Sequence, residues 1–242
     1  MPENNDDVAI LEAKLESLKS KGPFVVIFDC ESDSTFRLTP GIDRSAKFFR
    51  MQCTIVCAIV IECAKCATMS ANNVQDRELT KLHFWRTQRP NNEAPFEGLF
   101  QIFDQAEVIV AYNGLEFDFP LLFKHYESRP RYMAHRLKCL DPFIRLRAAT
   151  EVWFKLDTLL KHNGLPAKSG DGLEAITMYG HGKFDELKKY CEDDVMLLTK
   201  FVLLPTVKLP DMGTIPPSLT NLNAAVSNAQ FLPLSDDGFV VL

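Results

Sequence analysis

Residues Phe24-Val25-Val26-Ile27-Phe28 form an unbroken apolar run that ends abruptly at Asp29-Cys30-Glu31. Every side chain in the run is β-branched or aromatic, so the segment reads as a strand with both faces buried. A strand of that kind sits inside a sheet with layers packed on either side, which points to an α/β fold. Further strands are predicted at Gln52–Glu62, Lys81–Trp85 and Glu107–Tyr112, with a short one at Leu137–Leu140. Helical periodicity covers Asp6–Lys19, Pro95–Gln105 and Phe117–Tyr126, then about 153–162, 171–179 and 183–203. The first three strands follow one another without a helix, which suggests a meander with an antiparallel member. The later strands alternate with helices, which suggests parallel crossovers. The predicted architecture is a mixed five-stranded sheet flanked by helices.

Three regions are expected: an N-terminal helical extension (1–21), the α/β domain (22–204) and a Pro-rich tail (205–242) that is extended, either wrapped on the domain or loosely ordered. Residues 32–50 read as a long polar loop and 64–77 as a mobile turn. The best apolar run, Thr54–Ile61, is eight residues long, far short of the roughly 20 needed to span a bilayer, so no membrane association is expected. The first twenty residues are acidic and helix-like, unlike a secretory leader. Seven cysteines, an odd number, argue against a disulfide framework and for an intracellular, reducing compartment such as cytoplasm or nucleus. Cys53, Cys57, Cys63 and Cys66 do not suit zinc. The first two lie four residues apart on a strand, roughly 13 Å from each other, too far for one tetrahedral ion.

The chemistry-bearing residues are acidic. Asp29 and Glu31 end the first strand at i and i+2, so both face the same side of the sheet. Asp118 falls in the first turn of a helix after a buried strand. Asp194 lies on a long helix, one turn after Tyr190. Singly, each acid is an ordinary cap, turn or surface residue. Gathered together they would repel and raise one another's pKa, unless hard divalent cations with oxygen preference held them. Two such ions about 3.5–4 Å apart can hold the attacking and leaving oxygens of a phosphodiester.

Three motifs carry a family resemblance. Asp29-Cys30-Glu31 after an apolar strand, then Asn113-Gly114-Leu115-Glu116-Phe117-Asp118 after Val108–Tyr112, then Tyr190-Cys191-Glu192-Asp193-Asp194 occur in that order. Together they resemble the DEDD superfamily of 3′–5′ exonucleases, whose fold is ribonuclease H-like. The position five residues before Asp194 is Lys189, not histidine, so the tyrosine branch (DEDDy) is the one resembled. Leu156–Leu160 and Lys168–Leu173 also look like a polymerase-B-associated or YprB-like exonuclease group. Cys30 departs from the usual aliphatic residue of the first motif, and the 32–50 insertion is unusual for the family.

The resemblance implies a two-metal hydrolase using Mg²⁺ or Mn²⁺, with Asp29, Glu31, Asp118 and Asp194 as metal ligands and Tyr190 orienting the attacking water. It implies removal of nucleotides from 3′ ends of single-stranded DNA or RNA as nucleoside 5′-monophosphates. Asn113, Phe117 and Lys168 are candidate substrate contacts. Asn113 either ties the strand end or touches substrate, and Phe117 either packs on a base or joins the core. Residues 129–168 hold nine basic and three acidic residues, with aromatics interleaved, in a chain of net charge −5. That mixture suits either a single-strand groove or a solvated helical surface. The other readings are a catalytically silent nucleic-acid-binding or scaffold domain, and an accessory module acting with a polymerase or helicase partner through its termini.

Overall fold

The computed structural model describes residues 5–19, 21–35, 43–75, 79–86, 95–168, 170 and 172–228. Helix α1 (Asn5–Lys19) precedes strand β1 (Phe24–Ser32), helix α2 (Arg44–Arg50), strand β2 (Cys53–Glu62) and a single turn α3 (Cys63–Cys66). Strand β3 (Thr80–Trp85), helix α4 (Glu97–Gln105), strand β4 (Val108–Val110) and helix α5 (Asp118–Leu122) follow. Next come α6 (Arg129–Leu137), strand β5 (Cys139–Leu140), α7 (Pro142–Thr150), α8 (Leu156–His162), α9 (Gly172–Gly180) and the long α10 (Phe184–Val202). A hairpin of β6 (Val207–Leu209) and β7 (Gly213–Ile215) and helix α11 (Leu222–Asn228) end the described chain.

The five-stranded sheet runs β3-β2-β1-β4-β5. Its β1/β2 and β2/β3 pairs are antiparallel, and its β1/β4 and β4/β5 pairs are parallel, the mixture the strand order predicts. The pleat of β1 sorts its side chains between two cores. Phe24, Val26, Phe28 and Cys30 pack with α4, α5 and α6, where Phe28 meets Phe103 at 4.9 Å and Phe119 at 5.5 Å. Val25 and Ile27 face the opposite layer, built from α8, α9 and α10. Asp29 and Glu31 belong to this second set by the two-residue period of a strand.

Several boundaries depart from the sequence reading. The expected 32–50 loop contains α2, whose N-cap Asp43 accepts from the Ser45 N–H at 2.9 Å. Residues 36–42 of that loop lie outside the described residues. The expected turn at 64–77 begins with α3, and its residues 76 and 77 are outside the description. Helices α6 and α7 were not anticipated. Each opens with proline in its first turn behind a capping side chain, Ser128 and Asp141 respectively, and proline there costs no hydrogen bond. Reading Asp141-Pro142 only as a turn misses that helix start. The expected extended segment after Leu204 carries β6, β7 and α11, with Val207, Leu209, Leu222 and Ala225 buried on the domain. Residues 229–242 lie outside the described region. Helix α1 lies on β3, with Leu18 buried and the Lys14 ammonium donating to the Lys81 carbonyl at 2.9 Å.

Candidate active site

The site lies where β1 outruns its parallel neighbour. Strand β4 pairs with β1 only from Val25 to Ile27, whereas β2 accompanies β1 to its end at Ser32, with a register shift after Glu31. Beyond Ile27 the β4-side edge of β1 is open, and the Asn113–Asp118 turn occupies it. The Asp118 carboxylate accepts the Cys30 N–H at 2.9 Å, taking the place of a strand partner.

That turn is braced from below. Asn113 has φ 64°, in the left-handed region that asparagine tolerates better than most residues. The buried Asp141 carboxylate accepts the N–H groups of Asn113 at 2.9 Å, Leu115 at 3.0 Å and Ile144 at 3.3 Å. Arg136 donates to the Leu115 carbonyl at 2.7 Å. A Cβ on Gly114 would stand 2.3 Å from the Ala111 Cβ, so glycine alone permits this approach. Asn113 uses its backbone here, while its side-chain Oδ1 is buried with no hydrogen-bond partner. Phe117 leans edge-on against Phe48 of α2, with ring centroids 5.7 Å apart, so it joins the packing rather than standing open.

Helix α10 supplies the other wall. Leu187, Tyr190, Cys191, Asp194, Val195 and Leu198 are all buried, at the three- and four-residue spacing that forms one helical stripe. The stripe that anchors α10 to the sheet therefore delivers Tyr190 and Asp194 to Asp29 and Glu31. Carboxylate oxygens of Asp29 and Glu31 and the Cys191 sulfur lie within 4.8 Å of one another. Cys191 was not anticipated in this group. Its signal was its place in the buried stripe, directly after Tyr190.

Lys168, on the connection between α8 and α9, enters the same space and donates to Asp194 Oδ2 at 2.7 Å. Asp29, Lys168 and Asp194 line a small cavity of about 50 Å³ with Tyr112, Leu156 and Leu198. The Tyr112 hydroxyl is turned away, donating to the Phe154 carbonyl at 2.6 Å. The four acids and one phenol expected to meet, Asp29, Glu31, Asp118, Asp194 and Tyr190, do come together, and Lys168 joins them.

Burial and mutual repulsion set the electrostatics. Burial, then the negative charge of Asp194, pushes Asp29 up to about 6 although Lys168 opposes it. Glu31 is raised well above its usual range by burial and by Asp29 and Asp194. Asp118 is also raised well above its usual range, by burial and Asp29, despite its bond from Cys30. Burial raises Asp194 as well, against the pull of Lys168. Burial pulls the Lys168 ammonium down, but Asp29, Asp194 and Glu31 outweigh this and hold it above its ordinary range. Burial and the same three carboxylates push Tyr190 above the usual phenol range, so its hydroxyl stays protonated and keeps a proton to donate.

These residues suit a hard cation. Among the described residues, four carboxylates share one desolvated space with one lysine as counter-charge, and Asp194 Oδ1 is buried with no hydrogen-bond partner. An oxygen donor set of this kind fits Mg²⁺ or Mn²⁺.

The basic stretch 129–168 is mostly engaged inside the molecule. Arg131 binds Glu97 and Asp104, Arg136 is buried, Lys138 donates to the Phe103 and Asp104 carbonyls, and Arg145 donates to the Ser218 carbonyl. Lys161 pairs with Asp157. Its surplus of positive charge therefore does not form a continuous groove, because acidic partners from other segments neutralise much of it.

Fold and cleft define an α/β protein with a carboxylate cluster at the open edge of its central strand. Residues 62–203, more than half of the chain, match the RNase_H superfamily model, and the chain belongs to that superfamily. The match includes Asp118, Tyr190 and Asp194 and begins after β1, which carries Asp29 and Glu31. No curated protein matches the chain by sequence. Among solved structures, exonuclease I is 16% identical, with 72% of this chain and 42% of that one covered at a TM-score of 0.39. E. coli exonuclease I in complex with a 5cy-dT13 oligonucleotide is 15% identical, with 75% and 43% covered at 0.36. The yeast NOT1 MIF4G domain co-crystallized with CAF1 is 9% identical, with 71% and 81% covered at 0.37. The chain thus spans less than half the length of exonuclease I, and likenesses this loose assign it no substrate. Among the described residues, no helix is long and apolar enough to cross a membrane.

Proposed function

We propose that this chain is a metal-dependent 3′–5′ exonuclease of the DEDDy type, acting on single-stranded DNA or RNA and releasing nucleoside 5′-monophosphates. The observation that carries this reading is the convergence of Asp29, Glu31, Asp118 and Asp194, from three separate segments, on one desolvated space where, among the described residues, Lys168 alone supplies counter-charge. Asp29, Glu31, Asp118 and Asp194 would hold Mg²⁺ or Mn²⁺, two ions in all. Bound there, such ions lower the pKa of water and neutralise charge on a phosphodiester. Tyr190, protonated at neutral pH, is suited to donate a hydrogen bond that orients the attacking water rather than to remove its proton. The Asp118 carboxylate is held in register by the Cys30 N–H, so the turn braced by Asp141 is a positioning device. Hydrolysis then forms one phosphorus–oxygen bond from water, breaks the bond to the 3′ oxygen of the preceding nucleotide and leaves that nucleotide with a free 3′-hydroxyl.

One observation favours the second reading, a silent nucleic-acid-binding or scaffold domain. Lys168 already supplies a cation to Asp194, as a residue in a site that has lost its metal would. Digestion of 5′-labelled single-stranded DNA and RNA with Mg²⁺ or Mn²⁺ separates the two. The enzyme yields a ladder shortened from the 3′ end, abolished in Asp29→Asn and Asp194→Asn while oligonucleotide binding persists. A wild-type protein that binds but never cleaves under either metal refutes the exonuclease reading.

A further inference from the structure

Trp153 is 68% exposed, on the non-helical connection between α7 and α8. An indole this exposed gains little from the core, yet the residues around it are organised. The Arg147 guanidinium lies over its ring at 4.8 Å from the centroid. Phe143 meets it edge-on at 5.5 Å. Arg147 is itself fixed by a two-pronged pair with Glu116, at 3.1 and 2.6 Å, and Arg44 donates to the Glu116 carbonyl at 2.8 Å. Glu116 stands two residues before Asp118. From Phe143 the aromatic contacts continue inward to Tyr112 at 5.7 Å, and Tyr112 lines the cavity shared by Asp29, Lys168 and Asp194. A chain of rings thus runs from the carboxylate site to the surface and ends in a tryptophan with one face backed by a fixed cation.

We propose that Trp153 is a stacking platform for an unpaired nucleobase of a single strand whose 3′ end lies at the carboxylate site; this rests on the nuclease reading for the strand's direction. The platform is built before the ligand arrives, because Arg147 and Phe143 already hold the indole, so little side-chain freedom remains to be lost on binding. Stacking suits any base, since every base has a π face, and requires that the base be unpaired. The Arg147 and Arg44 guanidinium groups, both bound to Glu116, stand beside the platform, where cationic side chains suit the phosphates of a strand.

The test uses the full chain in EDTA, so that binding is read without hydrolysis, with (dT)12 and (rU)12 as probes. The Trp85→Phe variant leaves Trp153 as the single tryptophan in the chain. Its emission should be quenched on titration with either probe. Trp153→Ala should weaken binding about 5- to 100-fold, and Trp153→Phe, which keeps a stacking ring, should recover most of it. Phe123→Ala, removing another exposed ring, should bind as wild type. Unquenched emission in Trp85→Phe, or equal affinity of Trp153→Ala and wild type, overturns the proposal. So does failure of Trp153→Phe to recover binding. If Trp153-dependent binding is found without any metal-dependent cleavage by wild type, the exonuclease reading fails and the platform stands. If Asp29-dependent cleavage is found without Trp153-dependent binding, the platform alone fails.

Discussion

Replacing Lys168 with methionine tests whether the site is built for an external cation. Methionine keeps a long flexible side chain against Leu156 and Leu198 while removing the charge. The lost contact is the 2.7 Å pair with Asp194, whose side chain is 3% exposed against 26% for the lysine. Removing one partner of a fully buried pair costs about 3–5 kcal/mol, because the other charge is left uncompensated. Partial exposure of Lys168 screens this, so about 2–3 kcal/mol is the reasonable expectation. In EDTA, Lys168→Met should therefore unfold at lower urea than wild type by that amount. A divalent ion in the same space no longer has an ammonium to displace or face. At about 1.4 kcal/mol per tenfold, the variant should bind Mn²⁺ roughly 30- to 150-fold more tightly. Mn²⁺ should also return more stability to the variant than to wild type. Calorimetric titration with Mn²⁺ and urea melts with and without the ion read both quantities. Equal Mn²⁺ affinity in the two proteins, or a stability loss that Mn²⁺ does not repair, refutes the argument that Lys168 holds the place of a metal charge.

Other outcomes follow from the turn that carries Asp118. Gly114→Ala places a methyl 2.3 Å from the Ala111 Cβ, so the turn must move; a loss of about 1–3 kcal/mol is expected in urea melts. Mn²⁺ affinity should fall with it, because Asp118 follows four residues later. Asp141 is raised to about 6, since burial outweighs the backbone N–H groups it accepts. A carboxyl raised on folding from 3.8 binds its proton more tightly in the native state. Its contribution is complete below the unfolded pKa and is lost as pH rises through about 6. Wild type in EDTA should thus lose stability between pH 4 and 7, and Asp141→Asn should remove part of that slope, about 3 kcal/mol at most. An unchanged slope in Asp141→Asn, read from urea midpoints across the range, would contradict the assignment.

The candidate site was legible where local periodicity and site geometry coincide. The alternation of Phe24–Phe28 places Asp29 and Glu31 on the side of Val25 and Ile27, and that side faces α10. The helical stripe that buries Leu187, Val195 and Leu198 carries Tyr190 and Asp194 with it. The missed features have no such local signature. Helices α6 and α7 are short, and their start signals, a capping residue followed by proline, also read as turns. The basic stretch 129–168 looked open to a polyanion because its partners, among them Glu97, Asp104 and Glu116, are distant in the chain.

The order of hydrophobic periods by itself determined the mixed sheet, the longer helices that cover it and which faces of β1 and α10 carry their acids, because strand and helix repeats are properties of neighbouring residues. Only the tertiary structure decided that β4 stops short and opens an edge for Asp118. It alone set Lys168 against Asp194, Cys191 beside Asp29, and Arg147 against Glu116. Those contacts join residues far apart along the chain. Each depends on how packed layers bring their side chains to one point, which no window of sequence contains.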